Sequence, residues 1–140
     1  MTKYVIDTQL LIRAFRNPTE AAKLESFLSN SIVYLSSVVA SELRAGAQPH
    51  QLGQLRQKII RPSRAAKRVV TPTHRAWVES GRVIQGLRDE GRQITPSLAN
   101  DVLIGISAAE SGVRVLHDNA RDFEAIARHY PRLNHMTLPL

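Results

Sequence analysis

The sequence predicts an α/β fold, a three-layer α/β/α sandwich with a mainly parallel central sheet. Short apolar runs of β-prone residues alternate along the chain with segments whose apolar residues recur at helical spacing. Strands that alternate with helices are joined by right-handed crossovers, which place helices on both faces of a parallel sheet. A length of 140 residues is that of one domain, so we expect residues 1–140 to form a single unit.

The first third of the chain shows the strand–helix pattern twice. The predicted strands are residues 4–6 and 32–35, and the predicted helices are residues 10–15, 22–28 and 38–46. The Asn-Pro-Thr sequence at residues 17–19 breaks the first helix from the second. Ser36 and Ser37 are good N-cap residues for the third helix, which stops at Gly46.

The rest of the chain repeats the alternation with longer helices. The predicted strands are residues 69–70, 113–116 and 136–138, the last at a sheet edge, and the predicted helices are residues 73–90, 96–111 and 122–129. Residues 50–68 are interpreted as a basic helix, or a pair of helices, interrupted at Pro62. We expect Phe123 in the core. Trp77 is interpreted as a core residue or dimer contact rather than a platform for base stacking.

Composition excludes several classes of protein. Hydrophobic residues make up 43% and charged residues 22%, the balance of a globular protein rather than a disordered one. The absence of cysteine excludes disulfides, thiolate zinc sites and a cysteine nucleophile, and fits a reducing compartment. No apolar run approaches the roughly 20 residues that span a bilayer. We therefore expect a cytoplasmic protein that is neither secreted nor membrane-bound.

The charge of the chain is unevenly distributed. Nineteen Lys and Arg residues against twelve Asp and Glu residues give a formal net charge of +7, and no acid lies between Glu42 and Glu79. This basic window favours a polyanionic partner, although a solvated helix face explains it equally well. The candidate nucleic-acid contacts within it are Arg44, Arg64, Lys67 and Arg68.

Acidic residues follow the predicted strands. Asp7 comes directly after the first strand, Glu42 lies in the helix after the second, and Asp118 follows the strand that ends at Leu116. Open parallel sheets bind ligands at the carboxyl ends of their strands. Clustered carboxylates repel each other and need protons or cations, so Mg²⁺ or Mn²⁺ is the economical explanation. Taken singly, each acid could instead be a helix N-cap or a surface residue.

Four segments of the chain resemble, in order, the motifs of the PIN domain, specifically the VapC-type toxin ribonucleases of bacterial type II toxin–antitoxin modules. The segments are VIDTQLLI at residues 5–12, LSSVVASELRAG at 35–46, NDVLIGISA at 100–108 and VLHDNARDF at 115–123. The resemblance implies an α/β/α fold and cleavage of RNA that depends on Mg²⁺ or Mn²⁺. It also implies a small cognate antitoxin, a homodimer, and a heterotetramer or larger assembly with that antitoxin.

The resemblance carries roles to individual residues. Asp7 and Asp101 match the principal metal ligands of the family, and Glu42 matches a third acid that holds metal directly or through water. Thr8 matches the hydroxyl that orients the site.

The last motif departs from the family pattern. Asn119 and Asp122 match family positions, with Asp122 as a further metal ligand, while Asp118 takes the place of the usual Arg and His117 that of the usual Thr. Gln9 replaces a more frequent Asn or Ser. Which of Asp118, Asn119 and Asp122 completes the site, and how many metals bind, is left open.

Two other functions compete with a toxin ribonuclease. The chain could be a PIN-like module that binds RNA or protein without cleaving, or a maturation or repair nuclease without an antitoxin. The presence of Asp7, Glu42 and Asp101 favours an enzyme, because a decayed site would be expected to lose at least one of them.

Overall fold

A five-stranded parallel sheet forms the centre of the computed structural model, which describes residues 1–138. The strands are β1 (Lys3–Ile6), β2 (Ile32–Ser36), β3 (Val69–Val70), β4 (Arg114–His117) and β5 (His135–Thr137). Their order is β3-β2-β1-β4-β5, and each of the four neighbouring pairs is parallel. The predicted parallel sheet is confirmed, with β4 and β5 displaced by one residue from their predicted bounds. The single domain over residues 1–140 stays a prediction, since residues 139–140 lie outside the described part.

Helices connect the strands. They are α1 (Thr8–Arg16), α2 (Pro18–Leu28), α3 (Ser37–Gly46), α4 (Leu52–Leu55), α5 (Arg61–Ala65), α6 (His74–Asp89), α7 (Pro96–Glu110) and α8 (Ala120–His129). A 3₁₀ turn at Pro49–Gln51 precedes α4, and a π-helical segment at Arg56–Ile60 joins α4 to α5.

Alternate residues of the central strands face two hydrophobic clusters. Tyr4 and Ile6 pack with Leu10 of α1 and Leu24 of α2 on one face, whereas Val5 packs on the other face. The second cluster is larger and takes buried residues from α3, α6, α7 and α8. Because side chains alternate across a strand, this division confirms the predicted three-layer sandwich.

Helix starts differ from the predicted ones because of N-capping. The side chain of Asn17 accepts hydrogen bonds from the backbone N–H groups of Thr19 and Glu20, so α2 begins at Pro18, ahead of the apolar residues at 22–28 that indicate this helix in the sequence. The predicted break between the two helices is confirmed, and Asn17 at that break also caps α2. Likewise, α8 begins at Ala120, two residues before the predicted start, because Asn119 caps it.

The predicted interruption at Pro62 is wrong. The chain stays helical from Leu52 to Ala65 because the turn before the proline widens, and the Arg61 N–H donates to the Arg56 carbonyl. Proline lacks an N–H, and its ring clashes with the carbonyl four residues earlier in an α-helix. The π-helical turn changes the local hydrogen-bond register and accommodates the proline.

Helix α6 departs from its predicted packing at its first turn. Val83 and Leu87 are buried as expected, but Trp77 and Val78 are each 60% exposed. The core interpretation of Trp77 is therefore wrong, and an apolar surface remains at the start of α6. Phe123 is fully buried, which confirms its place in the core. Across residues 1–138, no helix combines the length and apolar character needed to cross a membrane.

The strand order reverses between β1 and β4. From β1 the chain moves outward through β2 to β3, and it then returns to place β4 on the other side of β1. The connections diverge at this point and leave a crevice beyond the carboxyl ends of the two strands. Asp7 and the turn after His117 lie at this crevice, and the Asp7 N–H donates to the Leu116 carbonyl at 2.9 Å.

Candidate active site

Asp7 is held at the crevice by the end of β1. It occupies the N-cap position of α1, but its side chain makes no capping hydrogen bond with the first turn in the described structure. The residue is only 3% exposed, and its Oδ1 atom is buried without a hydrogen-bond partner among residues 1–138. The alternative that Asp7 serves as a side-chain cap is therefore not supported. An unpaired buried carboxylate oxygen is costly, and a cation at that oxygen would relieve the cost.

Thr8 links Asp7 to the next element. Its hydroxyl donates to Glu42 Oε1 at 2.8 Å, which fixes the carboxylate of α3 beside the start of α1. The Glu42 charge contributes to the raised pKa of Asp7, so the two acids interact electrostatically. The structure thus brings Thr8 to Glu42 in an orienting contact.

Asp101 lies on α7 and is 5% exposed. Burial raises its pKa to about 8, and the negative charges of Asp7, Glu42 and Asp122 add to this effect. Burial likewise raises the pKa of Asp7 to about 6, partly offset by the Thr8 backbone N–H. The charges of Asp7 at the end of β1, Glu42 on α3 and Asp122 on α8 therefore all act on Asp101 of α7 at the crevice.

The Asp122 carboxylate has a partner at each oxygen. The Asn119 side-chain amide donates to Oδ2 at 2.8 Å, and the Arg92 guanidinium forms an ion pair with Oδ1. Asn119 also accepts the Asp122 N–H, which caps α8. Asn119 thus sets the position of Asp122, and Arg92 neutralises its charge.

Asp118 lies apart from the four acids. Its side chain is 47% exposed and forms an ion pair with Arg13, which also contacts Glu20 at 3.1 Å. Its charge is not among those that raise the pKa of Asp101. The expectation that Asp118 joins Asp7 and Glu42 because it follows a strand is therefore wrong: Arg13 holds its side chain at the surface, whereas Asp122 acts on Asp101.

The four acids fit a hard divalent cation. Their donors are all carboxylate oxygens, which suits Mg²⁺ or Mn²⁺, and Asp7 Oδ1 is unpaired. Within residues 1–138, no three acidic or histidine side chains already stand close enough together to hold an ion. Mg²⁺ keeps several waters and is commonly bound through one or two carboxylates, so a preformed set of three is not required. Asp7 and Asp101 would hold the ion, with Glu42 and Asp122 beside them.

The four candidate nucleic-acid contacts are all exposed on the surface. Arg44 is exposed on α3, close in sequence to Glu42, whereas Arg64, Lys67 and Arg68 are exposed at or after the end of α5. In the described part of the chain, these four make no ion pair within 4 Å of an acid. Their charges are free to attract an anion.

Comparison with known proteins identifies the family. Residues 4–129 match the PIN domain. The chain belongs to the PIN domain family. A related sequence is the tRNA(fMet)-specific endonuclease VapC of Shigella flexneri, which is 25% identical over 126 residues, 90% of this chain and 93% of that protein.

Solved structures share the fold of this PIN domain. One is the VapBC2 complex of Rickettsia felis bound to a promoter DNA fragment, with a TM-score of 0.69, 20% identity, and coverage of 99% of this chain and 100% of that chain. Another is FitAcB of Neisseria gonorrhoeae, with a TM-score of 0.71, 18% identity, and coverage of 95% and 96%. At these identities the likeness shows the fold.

The sequence did not indicate two features of the PIN domain site. Arg92 lies between α6 and α7, and nothing in a single sequence pairs it with Asp122. His117 is fully buried beneath the turn that carries Asn119, and it contacts His135. The one available signal was that His117 replaces a family threonine.

The raised pKa values predict how pH affects the stability of the metal-free protein. Asp7 and Asp101 keep their protons in the folded state to about pH 6 and about pH 8, whereas the unfolded chain loses them near the ordinary value of 3.8. Stability should therefore fall as pH rises from 4 to above 8. Asp7→Asn should stabilise the metal-free protein at pH 8.5 by up to about 3 kcal/mol, from a shift of about two pKa units.

Urea unfolding in EDTA at pH 5 and pH 8.5 measures this effect. Asp118→Asn is the matched control, because that carboxylate is exposed and should leave the pH dependence unchanged. If the stability of Asp7→Asn depended on pH in the same way as that of the wild type, the raised pKa of Asp7 would be contradicted.

Proposed function

We propose that this PIN domain is a metal-dependent endoribonuclease that acts as the toxin of a toxin–antitoxin pair. The observation that carries the proposal is the pair of buried carboxylates, Asp7 and Asp101, whose pKa values are raised by burial and by neighbouring acids. Groups with such shifts in a cleft mark functional sites. The name of the Shigella flexneri relative, an endonuclease specific for a tRNA, agrees with this function.

Each residue of the site has a distinct task. Asp7 and Asp101 would hold Mg²⁺ or Mn²⁺, and Glu42, oriented by Thr8, would act on the ion directly or through a water. Asp122, positioned by Asn119, completes the negative end of the crevice. When bound, the ion supplies an activated water and neutralises charge at the scissile phosphate. No side chain is needed as a nucleophile.

Arg44, Arg64, Lys67 and Arg68 are proposed to bind the phosphates of the RNA. They are exposed and make no ion pair with an acid in residues 1–138. Binding of a phosphate therefore does not require an internal ion pair to break. Contacts of this kind act through charge and carry no sequence information. The preference for one RNA then comes from its shape and unpaired bases.

An antitoxin is proposed to dock beside Glu42. An apolar groove runs between α1, α3 and α4 and is lined by Ile12, Phe15, Leu43 and Leu55, with Glu42 at its wall. Apolar anchors of a partner segment would bury in this groove, and a basic side chain would reach the acids. The similar VapBC2 and FitAcB structures agree with such a partner. We place this pair in the cytoplasm, where its RNA substrate is found.

A homodimer is proposed to cover the exposed start of α6. Trp77 and Val78 present an apolar surface there, and large exposed aromatic residues are typical of protein interfaces. With the antitoxin, two copies would form a heterotetramer or a larger assembly.

Metal dependence is the first test of the proposed nuclease. RNA cleavage by the purified protein should require Mg²⁺ or Mn²⁺ and stop in excess EDTA. Asp101→Asn should lower kcat by about 100-fold or more while the fold is kept, because it removes a ligand charge but not the side-chain volume. Gel analysis of labelled RNA measures both effects. Undiminished cleavage in EDTA would contradict the mechanism, and binding without cleavage by the wild type would favour the RNA-binding alternative.

The last motif allows a matched comparison. Asp122→Asn should reduce cleavage by about 10-fold or more, because Asp122 acts on Asp101. Asp118→Asn should leave the rate of cleavage close to that of the wild type, because this residue lies outside the four acids. The opposite order of activities would show that the alignment of the last motif is wrong.

Salt dependence tests the phosphate contacts. Replacing Arg64, Lys67 and Arg68 with Gln should lower the slope of log affinity against log salt by up to about 2, at roughly 0.7 per contact. Filter binding of single-stranded RNA, with the metal-ligand variant Asp101→Asn as background, measures the slope. The control replaces Lys23, Arg88 and Arg132, which are exposed elsewhere. Equal slopes for both triple variants would show that the basic residues are only a solvated helix face and do not bind RNA.

Co-expression tests the antitoxin. The product of the small neighbouring reading frame should co-purify with the protein and suppress its ribonuclease activity. Phe15→Glu should weaken the complex, because Phe15 lines the apolar groove and is 44% exposed, so the charge faces the partner rather than the core. Full ribonuclease activity in a stoichiometric complex would contradict the toxin assignment and leave the nuclease intact.

A further inference from the structure

Two histidines and a phenylalanine pack together next to the turn that carries Asn119. His117, the last residue of β4, is fully buried, and its ring lies against Phe123 with centroids 4.4 Å apart and an interplanar angle of 8°. His117 Nε2 lies 2.8 Å from His135 Nδ1 on β5. Neither histidine belongs to the proposed catalytic machinery.

The hydrogen bonds fix the tautomer of His117. The Asn119 backbone N–H donates to His117 Nδ1 at 3.1 Å, so this nitrogen carries no proton. Burial lowers the pKa of His117 to about 4, and His135 adds to this effect while Asp118 opposes it. The ring is therefore neutral at physiological pH. Its proton lies on Nε2, which donates to His135 Nδ1.

His135 is itself kept as an acceptor. Burial lowers the pKa of His135, with Arg114 acting in the same direction and Glu124 opposing it. Neutral His135 presents an unprotonated Nδ1 to His117. If His135 lost this role, His117 could move its proton to Nδ1, which would then face the Asn119 N–H donor.

The contacts continue from His117 to the acids. Asn119 is held through its backbone by His117, and its side chain bonds both the N–H and the carboxylate of Asp122. Asp122 in turn contributes to the raised pKa of Asp101. The fully buried His117 ring thus contacts Asn119, the residue that holds the Asp122 side chain in position.

We propose that His117, fixed in its Nε2–H tautomer by His135, is a positioning residue that holds Asn119 and thereby Asp122 at the acid cluster. The inference rests on the proposed function, for which Asp122 is a site residue. The His117 ring accepts the backbone N–H two residues later, a hydrogen bond that short side chains such as Asn and Thr more often accept.

Two substitutions separate this role from simple packing. His117→Asn keeps an acceptor for the Asn119 N–H and loses the ring. His117→Phe keeps the ring and its stacking on Phe123 and loses the acceptor. If His117 positions the site, the Phe variant should lose about 10- to 100-fold in kcat/KM, as removal of outer-shell partners does elsewhere. The Asn variant should stay close to the wild type. A packing role predicts the reverse order, and that order would overturn the proposal.

Two measurements do not depend on cleavage of RNA. Long-range ¹H–¹⁵N correlation spectra of the wild type should show His117 protonated at Nε2 and not at Nδ1; the other tautomer would overturn the proposal. Thermal shift titration with Mn²⁺ should need a higher concentration for the Phe variant than for the Asn variant. Equal Mn²⁺ midpoints for wild type and Phe variant would also overturn it. A wild type that binds Mn²⁺ but cleaves no RNA would refute the proposed function alone.

Discussion

The burial of carboxyl groups at the carboxyl ends of the central strands is the constraint on which the rest of this site depends. Asp7 and Asp101 are almost completely buried, and burial is the largest contribution to the raised pKa of each. A protein gains no stability from such an arrangement in the absence of cations. The contacts around the crevice therefore hold in place carboxyl groups that burial and mutual repulsion disfavour as anions.

Those supports treat the individual acids differently. Glu42 receives the Thr8 hydroxyl, Asp122 has Arg92 and Asn119, and Asp118 is drawn outward by Arg13. Asp7 Oδ1 has no partner among the described residues. The buried carboxylate oxygen that lacks a partner thus lies at the end of β1, at the point where the strand order reverses.

The sequence was sufficient for the architecture, because strand and helix periodicity depends on local patterns. Topology brings Asp7 and Glu42 to one crevice, but Asp118, which also follows a strand, pairs with Arg13 instead. Local patterns failed where a contact from a distant element decided the outcome. Trp77 has the spacing of a core residue, but no element packs over it among residues 1–138. Arg92 and His135 are remote in sequence from Asp122 and His117, so neither pairing leaves a sequence pattern.

The π-helical segment Arg56–Ile60 has a consequence for how this chain tolerates length changes. A π-helical turn holds one more residue than an α-helical turn, which is what a single inserted residue produces in an existing helix. Removing one residue there would rotate the rest of this helix, up to Ala65, by about 100° relative to its start, because 100° is the angle between successive residues of an α-helix. Ile59 and Ile60 pack against the core, and Arg64 is exposed to solvent. After the rotation, the two isoleucines could not stay against the core while Arg64 stays in solvent. The extra residue therefore determines which side of this helix faces the solvent.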